Sequence, residues 1–303
     1  MTLPRFVVCG VPRCGTTSLY RYLEQHPQVD VGRLKESNFL SWPGAEAAAR
    51  VMPWVRFPVT SFEEYQGLFG AAGAAVPVDV SPSCFHSPAA IERIRTFVPD
   101  AGLLVLLRDP VARAYSAYLN RLRKRYETRS PEDVLVPGDR AVDNGFYAGR
   151  LEAFLAVFGP ERVRVWLFDD LSRRPGPTMA EILVHLGVDP MPLDVETAHN
   201  RSTVHRTPRL QRMVPRLDHR WRLARKVPRP LWRAASRVWD LTQTAPPPLP
   251  EGVERRLREL YADDVRRVGE LIGRDLGGWL PAGSVPERSA RSEPAPPARG
   301  ETR

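Results

Sequence analysis

The 303-residue sequence lacks an apolar run of about 18 residues, which is the length that a membrane-spanning helix requires. It also lacks the basic-then-apolar pattern of a secretory signal, since an apolar strand is predicted from Phe6 onward. Cysteine is scarce, because Cys9, Cys14 and Cys84 are odd in number and show no metal-ligand spacing. We therefore expect a cytoplasmic protein with reduced thiols.

Acidic residues are nearly missing from residues 201–244, which hold twelve Arg and Lys residues against Asp218 and Asp240. Because the whole chain carries a formal net charge of +9, the other residues are close to neutral. Apolar residues of the segment fit two helix faces, broken at Pro228 and Pro230. Three interpretations stay open: contact with an anionic membrane surface, a cap that meets an acidic acceptor, or helices packed on the fold. Nothing beyond charge favours nucleic acid, so we predict no nucleic-acid partner.

Short apolar runs alternate with amphipathic segments along the first two thirds of the chain. Residues 103–107 are apolar throughout, as expected for a strand buried on both faces of a parallel sheet. The alternation predicts an α/β protein with a P-loop-like three-layer fold, in which helices cover both faces of a central parallel sheet. The predicted strands are 6–9, 28–31, 75–80, 103–107 and 163–168, the predicted helices are 16–23, 61–69, 88–98, 144–158, 178–186 and one from 110, and 124–143 is a predicted loop.

The chain is predicted to form one domain over residues 1–280, without internal repeats. A helix-stop signal occurs at Gly273, near the end of this domain. The remaining predicted parts are a basic helical insertion (201–244), a stiff proline-rich linker (245–250), a C-terminal helix (251–280) and a disordered tail (281–303).

Residues 6–23 carry the strongest functional signal. A short apolar strand is followed by a turn between Gly10 and Gly15, and then by an amphipathic helix. The first N–H groups of such a helix and the positive end of its dipole favour an anion in the turn. The alternative is a strand-to-helix turn that binds nothing. The first helical turn also supplies three hydroxyls, those of Thr16, Thr17 and Ser18.

The kind of anion follows from the cation in this turn. Gly10 and Gly15 have the spacing of a P-loop, but Thr16 stands where the Lys that reaches a triphosphate would be. The sequence therefore argues against an ordinary ATPase or GTPase. The cation is Arg13, inside the turn, where it suits a terminal anionic group that sits lower in the loop.

The stretch VPRCGTTSL, residues 11–19, resembles the 5′-phosphosulfate loop of sulfotransferases that use 3′-phosphoadenosine 5′-phosphosulfate (PAPS). That family usually has P-K-x-G-T-T, and Arg13 of this chain replaces the Lys while it keeps the charge and adds a bidentate fork. The resemblance implies that PAPS is the co-substrate, bound here by Arg13, Cys14, Gly15, Thr16, Thr17 and Ser18.

A second anion motif begins where the apolar run 103–107 ends. Arg108 at the strand end and Ser116, two turns into the next predicted helix, could bind one anion together. The stretch RDPVARAYS, residues 108–116, resembles the family's 3′-phosphate motif, R-[DN]-P-x-x-R-x-x-S. The resemblance implies that Arg108 and Ser116 hold the 3′-phosphate of PAPS.

Two further stretches resemble the glycosaminoglycan-type branch of the family. Lys35-Glu36 followed by Phe39 resembles its K-E-x-x-F-F segment, which implies that Glu36 is the general base and that Lys35 assists the sulfuryl group. As a bare dipeptide, the pair could also begin a solvated helix. Asp79 with the following VSP resembles the E-K-[ST]-P segment, although Val80 replaces the Lys.

The resemblance implies in-line transfer of a sulfuryl group from PAPS to a hydroxyl or amine of a saccharide, lipid or secondary-metabolite acceptor. Arg13 and the N–H groups of residues 15–18 would neutralise the leaving phosphate, and no metal is implied. A P-loop kinase or NTPase is the rival enzyme, but it needs a Lys at position 16 and an acid that holds Mg²⁺. The non-enzymatic rival is a membrane- or partner-binding protein that works through 201–244 and has a degenerate nucleotide site.

Overall fold

The computed structural model describes residues 2–70, 76–124, 126–195, 204–205, 243–244 and 246–283. The strands are β1 (Phe6–Gly10), β2 (Val29–Asp30), β3 (Val76–Val80), β4 (Gly102–Leu107), β5 (Val163–Leu167), β6 (Val204–His205) and β7 (Gln243–Thr244). The α-helices are α1 (Thr16–Leu23), α2 (Ala45–Val51), α3 (Phe62–Gln66), α4 (Ala90–Phe97), α5 (Pro110–Arg123), α6 (Pro131–Val134), α7 (Arg140–Asp143), α8 (Ala148–Phe158), α9 (Phe168–Arg173), α10 (Pro175–Leu186) and α11 (Glu251–Ile272). Short 3-10 helices occupy Phe39–Ser41, Pro82–His86 and Gly277–Trp279.

The first five strands form one parallel sheet in the order β2-β3-β1-β4-β5. β1 lies in the middle, where Phe6 is opposite Val78 of β3 on one side and opposite Gly102 of β4 on the other. The carboxyl ends of β1, β3 and β4 therefore meet at one edge of the sheet, which is where open α/β folds bind ligands. β6 and β7 form a separate antiparallel pair.

The predicted α/β fold is confirmed. The central strands β1, β3 and β4 are almost entirely buried, as both-face burial in a parallel sheet requires. From β1 the chain fills one side of the sheet with β2 and β3 and then crosses to β4 and β5. Because parallel crossovers are right-handed, these two directions place helices on opposite faces of the sheet.

Helix α5 follows β4 directly and is set by local sequence. Asp109 caps it, with one carboxylate oxygen accepting from the Val111 N–H at 2.9 Å, and Pro110 occupies the first helical position. Proline suits that position because its missing N–H would have no helical partner. The motif of residues 108–116 therefore consists of the residue after a strand, the N-cap of α5 and the first two turns of that helix.

Several helix boundaries differ from the prediction. α3 spans only Phe62–Gln66 of the predicted 61–69, although Ser61 caps it as expected by accepting from the Glu64 N–H at 3.2 Å. α11 ends at Ile272, where Gly273 adopts φ 62°, so the predicted helix 251–280 stops early at its stop signal. The predicted loop 124–143 contains α6 and α7, and α2 was not predicted.

The predicted tail lies outside the described residues except for 281–283, and so does most of the basic segment 201–244. Only its short pieces β6 and β7 are described, and the predicted helices of the segment are therefore not addressed. Across the described ranges, no helix combines the length and the apolar character needed to cross a membrane.

Candidate active site

The turn between β1 and α1 has the geometry of an anion cradle. Leu19 N–H makes the first helical bond of α1, to Gly15 O at 3.0 Å, so the N–H groups of residues 15–18 precede the helical hydrogen-bond ladder. Gly15 cannot cap them with a side chain, and its φ is 89°. A Cβ at Gly15 would lie 2.7 Å from Phe168 Cδ2, so this position needs glycine both for its backbone angle and for space.

Cys14 packs into the protein interior beneath this turn. Its side chain is fully buried, and its own N–H donates to Val11 O at 3.1 Å. Burial raises the pKa of the Cys14 thiol to about 11, so the thiol is protonated at neutral pH. The remaining cysteines, Cys9 and Cys84, are also buried and free. Cys14 therefore contributes packing, and residues 15–18 supply the N–H groups.

The two predicted phosphate motifs meet through their side chains. The Arg13 guanidinium donates to Ser116 Oγ from Nε at 3.1 Å and from Nη2 at 3.0 Å. Arg108 donates from Nη1 to the backbone oxygen of Arg13 at 3.3 Å. Arg13 itself has φ 77°, a left-handed conformation that is uncommon for a residue with a side chain. The fold thus joins residues that are about a hundred positions apart in sequence into one cationic cluster.

The cluster has an excess of positive charge. Burial, with the neighbouring guanidiniums of Arg123, Arg108 and Arg113, lowers the pKa of Arg13 to about 10, and Arg13 stays charged at neutral pH. Among the described residues, Arg13, Arg108 and Arg113 form no salt bridge with a carboxylate. Like charges held together in a partly buried site are stabilised when an anion binds between them.

Arg108 is fixed in this cluster by its neighbours. The Tyr147 hydroxyl donates to the backbone oxygen of Arg108 at 3.0 Å, and the Arg108 guanidinium lies 4.5 Å from the centre of the Phe168 ring. Tyr147 is fully buried, which gives it a packing role. Because Phe168 also packs against Gly15, one ring touches both phosphate motifs. No motif in the sequence indicates this role for Phe168.

Lys35 and Glu36 lie at the same edge of the sheet, beside the end of β3. Glu36 N–H donates to Val80 O at 3.1 Å, and the Lys35 ammonium forms an ion pair with the Glu36 carboxylate. The Glu36 side chain is 49% exposed and that of Lys35 is 22% exposed. An ion pair that is this exposed contributes little energy, so it can open when a ligand binds. Val80, in the position of the family's Lys, is buried and offers only its backbone.

A buried cluster of polar side chains lies next to the segment that carries Lys35 and Glu36. The Asp79 carboxylate is 1% exposed and accepts hydrogen bonds from Ser81 Oγ at 2.7 Å and from Tyr65 OH at 2.9 Å. Ser37 Oγ lies 3.4 Å from both Asp79 Oδ2 and Ser81 Oγ. Burial raises the pKa of Asp79 above its usual value. Sequence reasoning noted Asp79 but missed Ser37 and Tyr65, since only the fold brings them together.

The chain is similar in sequence to known sulfotransferases. A model of the Sulfotransferase family matches residues 46–192. Over 206 residues, the chain is 29% identical to the human bifunctional heparan sulfate N-deacetylase/N-sulfotransferase 3. The sulfotransferase family is the family that this chain resembles. The family match contains the Arg108–Ser116 motif and begins after the phosphate loop and Lys35-Glu36.

The curated relatives that this chain matches are longer proteins. The alignment with the human protein covers 62% of this chain and 23% of that protein. Carbohydrate sulfotransferase 15 of Mus musculus is 23% identical over 342 residues, which cover 91% of this chain and 54% of the mouse protein. The chain therefore spans about a quarter to about half of the length of these relatives.

A solved bacterial structure supports the fold of this chain. The crystal structure of a sulfotransferase from Alicyclobacillus acidocaldarius superimposes with a TM-score of 0.67 at 24% sequence identity. The match covers 92% of this chain and 99% of the bacterial chain. The likeness extends over nearly the whole chain and establishes the α/β architecture around the candidate site.

Within the described ranges, no cluster of three or more His, Cys, Asp or Glu side chains is arranged to hold a metal ion. Arg13 and Arg108 lie at the carboxyl edge of the sheet, and Lys35 and Glu36 lie beside the end of β3. Arg13 and Arg108 give this edge the positive charge that an anion site requires.

Proposed function

We propose that this sulfotransferase moves a sulfuryl group from PAPS to a hydroxyl or amine of a saccharide. The observation that carries the proposal is the contact between Arg13 and Ser116, which joins the two phosphate motifs in one site. A nucleotide with phosphates on both its 3′ and 5′ positions would present one anion to each motif. The names of the relatives, which act on heparan sulfate and carbohydrate, support the acceptor class.

Each motif has a separate task in this proposal. Residues 15–18 and Arg13 would bind the 5′-phosphosulfate, with backbone N–H groups and the hydroxyls of Thr16, Thr17 and Ser18 as donors. Arg108 and Ser116 would bind the 3′-phosphate, where the planar guanidinium can donate two parallel hydrogen bonds. Cys14 would form the floor of the loop.

The reaction is an in-line displacement at sulfur. The acceptor oxygen or nitrogen forms a bond to sulfur while the bond between sulfur and the bridging oxygen of the 5′-phosphate breaks. Glu36 takes the acceptor proton, and Lys35 steadies the sulfuryl oxygens. Arg13 and the loop N–H groups stabilise the charge that develops on the departing phosphate, which leaves as 3′,5′-adenosine bisphosphate. No metal is needed for this balance.

Location and the role of residues 201–244 are two further predictions. We expect the protein to work in the cytoplasm, and we expect residues 201–244 to meet an anionic acceptor, an anionic membrane or the fold itself. Most residues of this segment lie outside the described ranges.

The direct test is transfer of label from ³⁵S-PAPS to a panel of acceptors. We expect label in N-deacetylated heparosan, a saccharide with both amines and hydroxyls, in preference to a steroid alcohol and a simple phenol. Enzymatic cleavage of the labelled saccharide would distinguish sulfated amines from sulfated hydroxyls. Label in the steroid alcohol or the phenol alone would contradict the saccharide assignment. The absence of transfer to any acceptor would contradict the proposed activity.

A further inference from the structure

The buried carboxylate of Asp79 has an unusual set of partners. Within the described residues, no Lys, Arg or His forms an ion pair with it, and its hydrogen-bond donors are the hydroxyls of Ser81, Tyr65 and Ser37. An ionised carboxylate only accepts hydrogen bonds, so hydroxyl donors suit it. At 1% exposure the Asp79 side chain lies too deep to touch an acceptor or a nucleotide. It can act on the site only through these partners.

The partners of Asp79 hold the backbone on both sides of Glu36. Ser37 follows Glu36 directly, and its Oγ lies 3.4 Å from Asp79 Oδ2. Ser81 Oγ donates to Asp79 Oδ1 and also accepts from the Asn38 N–H at 3.2 Å. One buried carboxylate thus orients two hydroxyls, and both hydroxyls fix the segment that begins at Glu36.

The segment needs this support because its backbone is in an uncommon conformation. Glu36 has φ 61° and Asn38 has φ 54°, so two residues with side chains are left-handed within three positions. Such residues keep this conformation only where the surrounding contacts determine it. The contacts here are the Glu36 N–H to Val80 O at 3.1 Å and the Asn38 N–H to Ser81 Oγ.

We propose that Asp79 is a positioning residue for the transfer reaction, which holds Glu36 at the acceptor side of the phosphate loop through Ser37 and Ser81. The inference rests on the proposed role of Glu36 as general base. It separates two tasks at the end of β3: Asp79 sets the direction of the segment, and Glu36 meets the acceptor. Asp79 makes no contact with the phosphate-binding arginines among the described hydrogen bonds and ion pairs.

The first experiment measures the segment without any activity. Asp79→Asn keeps the side-chain size but replaces one acceptor oxygen with an NH₂ donor, so one hydroxyl loses its acceptor. We expect amide hydrogen exchange at Glu36 and Asn38 to accelerate by about tenfold or more. Ser87→Ala is the matched control, since Ser87 donates to Ser41 O at 2.7 Å in the same buried region without touching Asp79. Unchanged exchange at both amides in Asp79→Asn would overturn the proposal.

The second experiment measures catalysis. We expect Asp79→Asn to lower kcat by about tenfold or more, because small displacements of a catalytic group are costly. The KM for PAPS and the Kd for the bisphosphate should stay within about twofold of wild type. In a Glu36→Gln background, Asp79→Asn should add little further loss, since it acts through Glu36. If the kcat losses of Asp79→Asn and Glu36→Gln multiply in the double variant, Asp79 acts independently of Glu36 and the proposal is overturned.

Folding and the proposed function are controlled separately. Ser37→Ala removes one hydroxyl and leaves the Asp79 carboxylate in place, and we expect the same pattern at smaller size if Asp79→Asn does not fold. A loss of melting temperature with normal kcat and normal exchange in Ser37→Ala would assign the cluster to stability alone. If wild type transfers no sulfuryl group, the proposed function fails, whereas the exchange experiment still decides whether Asp79 fixes residues 36–38.

Discussion

Glu36→Gln is expected to lower kcat for sulfuryl transfer by about 10² or more, with the affinity for 3′,5′-adenosine bisphosphate nearly unchanged. Gln keeps the size of the side chain but cannot take up the acceptor proton at neutral pH. The Glu36 carboxylate is half exposed beside the end of β3, while the phosphate-binding groups lie beside β1 and β4. Removing the base should therefore affect the chemical step and leave the nucleotide site intact. Steady-state kinetics with PAPS and calorimetry with the bisphosphate measure the two quantities.

Glu63→Gln is the matched control for this variant. Glu63 is an exposed residue of α3, and the same chemical change there should leave kcat at the wild-type value. Wild-type turnover in Glu36→Gln would remove Glu36 as the base. Loss of bisphosphate binding in the same variant would instead show that the Lys35-Glu36 pair supports the nucleotide site.

Arg108→Ala is expected to weaken bisphosphate binding by about 10- to 100-fold, since a hydrogen bond to a charged group contributes about 1.5–3 kcal/mol. The loss should be specific for the 3′-phosphate. Wild type should bind 3′,5′-adenosine bisphosphate more tightly than adenosine 5′-monophosphate, and the variant should bind the two with similar affinity. The reason is that Arg108 lies at the end of β4 and donates to the backbone oxygen of Arg13, whose guanidinium contacts Ser116. Calorimetric titration of both nucleotides measures the ratio.

Arg164→Ala gives the control for loss of one positive charge. Arg164 is exposed in β5, opposite Leu104 and away from the carboxyl end of the sheet. The Arg164→Ala variant should bind 3′,5′-adenosine bisphosphate and adenosine 5′-monophosphate with wild-type affinities. An Arg108→Ala protein that still prefers the bisphosphate as strongly as wild type does would contradict the assignment of the 3′-phosphate to Arg108. Equal weakening of both nucleotides would move Arg108 to the 5′-phosphate.

The parts of the fold that follow local rules were predictable from sequence. The apolar run 103–107 predicted β4, because a strand that is covered on both faces has no polar side. Gly10, Gly15 and the hydroxyls after them predicted the strand, turn and helix of the anion loop. The Asp109-Pro110 pair predicted the start of α5. In each case the pattern lies within a few residues of the structure that it determines.

The arrangement of the site depends on contacts between distant parts of the chain. Nothing near Arg13 indicates that its guanidinium lies against Ser116, and nothing near Gly15 indicates that Phe168 fills the space beside it. Nothing near Tyr65 indicates that its hydroxyl donates to Asp79. The short helices α6 and α7 were missed because four-residue helices carry almost no periodicity, and their caps and tertiary contacts stabilise them.

The central claim is a site for a nucleotide with two separate phosphates, and the most direct test is the melting temperature of the wild-type protein with nucleotides. At about 100 times its Kd, 3′,5′-adenosine bisphosphate should raise the melting temperature by roughly 5 °C or more, without Mg²⁺. ADP and ATP, with or without Mg²⁺, should have much smaller effects. Stabilisation by ATP with Mg²⁺ in place of the bisphosphate would contradict the account and favour a kinase, and no response to any nucleotide would favour a binding protein with a degenerate site.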